Sequence, residues 1–258
     1  MPHGQSAARD FRSRILNRQH VLGTFVKLPT PHVVEIVGQV GFDFVIIDRE
    51  HSPLDRAAID IACLAARATN IAAIVRVSEV ANILSALDSG ATGVMVPHCD
   101  SPERARQIAA ACRHRGGSRG FATTTRAGSY GGASREQHIA EQDATVTCIA
   151  MIEDHAALAH LEEIAAVKGI DAFFIGRGDL TVAFGAPSND APAVRDAVDK
   201  IIKAAKKVGK PICVMVGSAA EAKPFKAQGA SAFIVSTDQG FLRRAAGQAF
   251  TEMAALKA

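Results

Sequence analysis

From Phe42 the chain reads Phe-Asp-Phe-Val-Ile-Ile and then turns polar at once, into Asp48, Arg49, Glu50 and His51. The same change recurs where Ile74-Val75 gives way to Arg76, Val94-Met95-Val96 to Pro97-His98, Ile149-Ala150-Met151-Ile152 to Glu153, and Phe173-Phe174-Ile175 to Gly176 through Asp179. Short runs rich in β-branched and aromatic residues are the signature of buried strands. Eight are present, at Val21–Val26, Phe42–Ile47, Ala72–Val77, Gly93–Val96, Thr147–Ile152, Ala172–Ile175, Pro211–Val216 and Ala232–Val235. Longer Ala-rich segments of helical period separate them. Pro53 and Asp55 open the run to Ala68, Ser101-Pro102-Glu103 opens the run to Arg113, and Lys206-Lys207 with Gly209 closes another. Gly41, Gly90, Gly169, Gly209 and Gly229 stand just after helices and announce the next strand.

Eight strands alternating with eight helices predict an α/β fold, a (β/α)8 TIM barrel forming one domain over residues 1–258, with Ser6–Gln19 as an extra N-terminal helix closing the bottom. A doubly wound open sheet is the runner-up, because spacing alone does not establish closure. In either fold the polar groups that end parallel strands converge on one mouth, where the chemistry is expected. One connection breaks the rhythm: an insertion at about 114–145, Gly-rich and polar around Thr123-Thr124-Thr125-Arg126, reads as a substrate lid.

Composition narrows the classes. Lys and Arg number 29 against 26 Asp and Glu, and aromatics are 5% with no Trp, so neither a phosphate-tracking face nor stacking platforms for nucleic acid are expected. Five scattered Cys without a Cys-x-x-Cys read as buried thiols of a reducing cytoplasm. The polar stretch His3–Arg14 lacks an apolar signal core, and no apolar run approaches membrane-spanning length, so a cytoplasmic protein is expected. No phosphate-cradling or dinucleotide-binding glycine motif follows a strand in the required context.

The strand-end residues suggest a chemistry. Glu153 and Asp179 would repel one another unless a cation lay between them, and a carboxylate pair with water favours Mg²⁺ or Mn²⁺, with Co²⁺ a further candidate, over zinc. Helix or turn capping is the plainer role for each. Arg76, buried at its strand end, needs an anion, either a substrate carboxylate or enolate or a structural partner such as Glu50. His51 is well placed for proton transfer, with Asp48 or Glu50 available to one ring nitrogen. His98 and Pro97 are pocket-lining candidates. Lys27 could form a Schiff base, but alternation along its strand is expected to turn it away from the barrel axis.

These residues carry a resemblance to the HpcH/HpaI aldolase family of metal-dependent (class II) pyruvate aldolases, which includes 2-keto-3-deoxy-sugar-acid aldolases and siderophore-type citrate synthases. It runs from about Gly23 to Val235. Its most specific blocks are Gly41-Phe42-Asp43 through His51, Val75-Arg76-Val77, Leu87 to Ala91 with Gly93 to Pro97, Arg119-Gly120, Ile152-Glu153, and Gly169 through Leu180. The resemblance implies that Glu153 and Asp179 bind the divalent metal, that Arg76 lies on the keto or enolate oxygen of a pyruvate-like donor, and that His51 and Asp48 form the acid/base dyad. It further implies that the backbone near Gly178 and Asp179 holds the donor carboxylate, with Met151 and Pro97 in the substrate pocket. Asp88 matches an Asp that reaches a neighbouring subunit's site, which implies a homo-oligomer, commonly a hexamer built as a trimer of dimers. The implied partners are a small-molecule 2-oxo acid and an aldehyde.

Three departures surround the donor pocket: Met151 where relatives often have Gln, Arg177-Gly178 in place of Pro-Ala, and Arg49 in place of a small residue. They leave two rivals to an aldolase, a citrate synthase-like transferase condensing oxaloacetate with acetyl-CoA, and a non-catalytic barrel that binds keto acids.

Overall fold

The computed structural model describes residues 6–257, so the start of the His3–Arg14 stretch lies outside the described residues. The strands are β1 (Val21–Val26), β2 (Phe44–Asp48), β3 (Ala72–Arg76), β4 (Gly93–Val96), β5 (Thr147–Ile152), β6 (Ala172–Ile175), β7 (Ile212–Val216) and β8 (Ala232–Thr237). Before β1 lies α1 (Ser6–Leu16); α2 (Pro31–Val40), α3 (Arg56–Ala68) and α4 (Ile83–Asp88) follow β1, β2 and β3. After β4 come α5 (Pro102–Ala111) and α6 (Arg135–Thr145), then α7 (Leu161–Ala166), α8 (Arg177–Ala183), α9 (Pro192–Lys207), α10 (Ala219–Ala227) and α11 (Asp238–Ala254).

All strands run parallel, each pairs with the next, and β8 pairs with β1, so the sheet closes and the open doubly wound alternative is excluded. Helix ends follow the sequence signals: Asp55 caps α3 through Ala58 N–H, Ser101 caps α5 through Arg104 N–H, and Gly41 ends α2 with φ of 103°, a left-handed turn that glycine takes without strain.

Alternation along each strand divides the core in two. Phe44, Ile46, Ala72, Ile74, Ile149, Met151, Ala172 and Phe174 pack inside the barrel, whereas Val45, Ile47, Ala73, Val75, Ala150, Ile152 and Phe173 face the helices. Two residues further along the inward series stand Asp48, Arg76, Glu153 and Gly176. Strand period thus delivers those side chains to the mouth. The foot is closed by α1, whose Phe11 and Ile15 are fully buried within the interior cluster, each burial stabilising by roughly 2–3 kcal/mol. Arg12–Asp171 at 2.8 Å and Arg14–Asp43 at 2.7 Å fasten this plug to the barrel.

The insertion does not form a lid on its own mouth. It follows α5, which has already carried the chain back to the foot, so residues 114–134 leave from the end opposite the chemistry. Its helix α6, opened by a Ser134–Gln137 capping box, packs against α1, where Arg12 Nη1 donates to Ala144 O.

Candidate active site

Asp48 and Arg76 are register partners on β2 and β3. The Asp48 side chain is completely buried and accepts from Arg76 Nε at 2.9 Å and Nη2 at 2.7 Å. It also accepts the backbone N–H groups of Glu50 and His51, and Lys27 Nζ lies 3.2 Å away. Burial alone would push this carboxyl up, but the Arg76 hydrogen bonds and charge, the His51 amide and Lys27 outweigh it and hold Asp48 below the usual carboxylate range. Arg76 is further neutralised by Glu50 at 3.3 Å and lies over the Phe25 ring at 4.9 Å.

The pairing of His51 with Asp48 therefore takes another form than a side-chain dyad. Asp48 meets the His51 backbone, while the imidazole is 60% exposed with Nε2 3.9 Å from Glu50 Oε2. The oxygens of Asp48 are taken by Arg76, Lys27 and two amides, which leaves the ring to the open mouth. Lys27 also departs from expectation. It falls in the inward series after Val21 and Phe25, lines the cavity, and commits its charge to Asp48.

Glu153, directly after β5, is 3% exposed. One oxygen accepts His98 N–H at 2.9 Å, and a Cβ at position 176 would stand 2.7 Å from the other, so glycine there gives the carboxylate its place. Burial above all, with the nearby charges of Asp179 and Glu50, pushes Glu153 up to about 7 against the opposing His98 amide. His98 holds a left-handed φ of 55°, and its Nδ1 lies 3.2 Å from both oxygens of Asp154. Burial would lower the His98 pKa, but Asp154 and Glu153 raise it overall. Ligand atoms of His98, Glu153 and Asp154 all lie within 4.8 Å of one another. Asp154 is the member of this cluster that strand-end reasoning misses, although an adjacent Glu-Asp pair at a strand end signals it.

The Glu153 carboxylate has no Lys or Arg partner among the described residues, and Arg76 is already balanced by two acids. A hard divalent cation on carboxylate oxygens supplies the charge this cluster lacks, so the donor set fits one.

The mouth opens into a cavity of about 480 Å³. Of the residues expected to touch substrate, Arg76, Met151, Gly178 and Asp179 line it. Asp179 is exposed in the first turn of α8. Pro97, His51 and Glu153 stand outside its walls, although Gly176, against which Glu153 lies, is one of them. The far wall is Met215 of β7, Gly217 and Glu221 after it, and Ser236, Thr237 and Arg244 around β8 and α11; no residue of the insertion contributes. Asp88 ends α4 at the foot, 3.8 Å from the buried guanidinium of Arg119.

A family model described as HpcH/HpaI aldolase/citrate lyase matches residues 21–245. The chain is 34% identical over 239 residues to a 2-dehydro-3,6-dideoxy-6-sulfogluconate aldolase of Pseudomonas putida, covering 91% of this chain and 93% of that protein. It is 30% identical, with the same coverage, to a 5-keto-4-deoxy-D-glucarate aldolase of Klebsiella pneumoniae. Among solved structures, the citrate synthase SbnG superposes with a TM-score of 0.84 at 28% identity, covering 95% of this chain and 98% of that one.

Proposed function

The chain belongs to the HpcH/HpaI aldolase/citrate lyase family, and from that premise we propose a class II aldolase that reversibly cleaves a 4-hydroxy-2-oxo acid to pyruvate, or a pyruvate analogue, and an aldehyde. Deoxy sugar acids of the kind named for its two aldolase relatives are the substrate class. The observation that carries this reading is the deeply buried Glu153, raised to about 7 beside Asp179, at the same mouth as Arg76.

Glu153 and Asp179 would hold a divalent metal, Mg²⁺ or Mn²⁺, with His98 and Asp154 at its side. When bound, the metal supplies positive charge that polarises the donor's keto group. Arg76 presents its guanidinium to the oxygen on which negative charge develops as the bond beside the ketone breaks, and Asp48 holds that guanidinium in place. The free N–H groups of Gly178 and Asp179 orient the donor carboxylate. His51, whose ring is open to the mouth, takes the proton from the 4-hydroxyl during cleavage and returns it during addition. Met151, buried at the cavity floor, gives the donor methyl an apolar contact.

Retro-aldol assays over a panel of 2-oxo acids, with and without chelator, test the reading; cleavage that ignores the chelator counts against it. The likeness to a citrate synthase, together with Met151 and Arg177 in the donor pocket, favours a second reading in which oxaloacetate condenses with acetyl-CoA. Release of free CoA thiol would select it.

A homo-oligomer, hexameric as in the family, accompanies this function. Asp88 stands at the foot, away from its own cavity, where it can serve a neighbour's. Along α11, Leu242, Phe250 and Met253 are 61–74% exposed, an apolar face that a second copy would cover. No helix among the described residues is long and apolar enough to cross a membrane, in keeping with a cytoplasmic enzyme.

A further inference from the structure

His98 follows β4, and Glu153 and Asp154 follow β5, two strands that pair in register from Gly93–Thr147 to Val96–Ala150. The turn after β4 is clamped onto β5 twice, by His98 N–H on Glu153 Oε1 at 2.9 Å and by Cys99 N–H on Met151 O at 3.1 Å. Within this clamp His98 holds its left-handed φ of 55°, a backbone region that is costly for a residue with a Cβ and persists where the surroundings enforce it. The imidazole stands beside both acids, with Nδ1 3.2 Å from each Asp154 oxygen and 3.7 Å from Glu153 Oε1. Among the described residues, this is the one trio of His, Cys, Asp or Glu side chains with ligand atoms so closely gathered.

Those spans suit one shared ion. Bonds of about 2.1 Å set two ligand atoms about 3.0–3.4 Å apart at angles between octahedral and tetrahedral. The Asp154 contact falls inside that range and the Glu153 contact slightly beyond it. Glu153, 3% exposed and without a Lys or Arg partner among the described residues, is the charge that calls for a cation. Its Oε1 keeps a second lone pair after accepting the His98 amide. Asp154 and His98, 32% and 59% exposed, close the trio from the solvent side.

We propose that His98 is a nitrogen ligand of the divalent ion, bound through Nδ1, with Asp154 as an oxygen ligand alongside Glu153. The inference rests on the metal-dependent reading above and deepens it. Imidazole favours a borderline transition ion, so this site prefers Co²⁺ to Mg²⁺ more strongly than carboxylates alone do. The competing role is a hydrogen bond from Nδ1–H to Asp154 that keeps the ring off the metal. The two roles exclude one another, because Nδ1 offers either its proton or its lone pair.

The experiment is titration calorimetry of Co²⁺ and of Mg²⁺, without substrate, on wild type, His98→Gln, Asp154→Asn and Glu153→Ala. Glutamine can keep a hydrogen bond to Asp154, but its amide is a poor ligand for a transition ion. His98→Gln is expected to weaken Co²⁺ binding by about 10²-fold and Mg²⁺ binding by about threefold or less, and Asp154→Asn to weaken both by about tenfold. Pulsed EPR of the Mn²⁺-loaded proteins should show the coupling of a directly bonded nitrogen in wild type and none in His98→Gln. A Co²⁺-to-Mg²⁺ affinity ratio unchanged in His98→Gln, or a nitrogen coupling that is missing from wild type or survives in that variant, overturns the inference. Glu153→Ala separates the two claims. If it abolishes metal binding while wild type shows no nitrogen coupling, only the role of His98 falls; if metal binding is unchanged in Glu153→Ala, the metal reading falls and this inference with it.

Discussion

The Arg76 guanidinium grips the Asp48 carboxylate in two hydrogen bonds, 2.9 and 2.7 Å, between register partners that are 8% and 0% exposed. The guanidinium that lines the cavity is therefore positioned by a neighbour whose own charge depends on it.

Removing Arg76 has two separable consequences. Arg76→Ala strands a buried carboxylate with Lys27 as its remaining side-chain cation, and a loss of about 3 kcal/mol in stability is expected, at the lower end for a broken buried pair. It also removes charge from the developing oxygen, lowering cleavage by about 10²–10³. Urea unfolding beside retro-aldol kinetics measures both. Arg76→Lys should recover part of the stability and little of the rate, since a point charge cannot make the two-pronged contact.

Acid should find the same pair. Asp48 titrates lower in the fold than the ordinary value of 3.8, so its contribution is fully present above that value and drains as pH falls through the lower folded one. Wild type should exceed Asp48→Asn in stability at about pH 6, and the two should converge at about pH 2. A constant gap across denaturation curves over that range would show that the pair's charge is not what stabilises.

His51 offers the opposite combination. Its ring is 60% exposed with no contact closer than 3.9 Å to an acid, so His51→Ala should leave the melting temperature unchanged. Cleavage should fall by about 10²–10⁴ if the ring carries the 4-hydroxyl proton. Calorimetry and steady-state kinetics on one preparation separate this from Arg76→Ala, which loses both.

The barrel was legible because its signal is periodic. Strands alternate with helices, and the inward series that ends in Asp48, Arg76 and Glu153 follows from a period of two. Boundaries shifted by one or two residues: β2 starts at Phe44 and takes in Asp48, β3 ends at Arg76, β7 starts at Ile212, and β8 runs on to Thr237. The same period, counted from Val21 and Phe25, turns Lys27 inward, against the expectation for it. What stayed hidden depends on contacts between distant segments. That Asp48 would be saturated by Arg76, Lys27 and two amides, leaving His51 alone, is a matter of which neighbour arrives first in space. The lid expectation failed for a topological reason, since an insertion after a helix leaves from the foot. Asp171 shows the same limit: spacing gives no hint that it receives Arg12, Arg113 and the Cys148 amide beneath the barrel.

On the proposed mechanism a divalent ion held by Glu153 and Asp179 is what lets this mouth stabilise a carbanion-like donor. Deuterium exchange into the methyl group of pyruvate, followed by proton NMR, tests it most directly. Exchange is expected with Mn²⁺ or Mg²⁺, stopping on chelation, resuming on adding metal back, and absent from Glu153→Ala and Asp179→Ala. Exchange that continues at full rate in the chelated wild type, or in either variant, would contradict it.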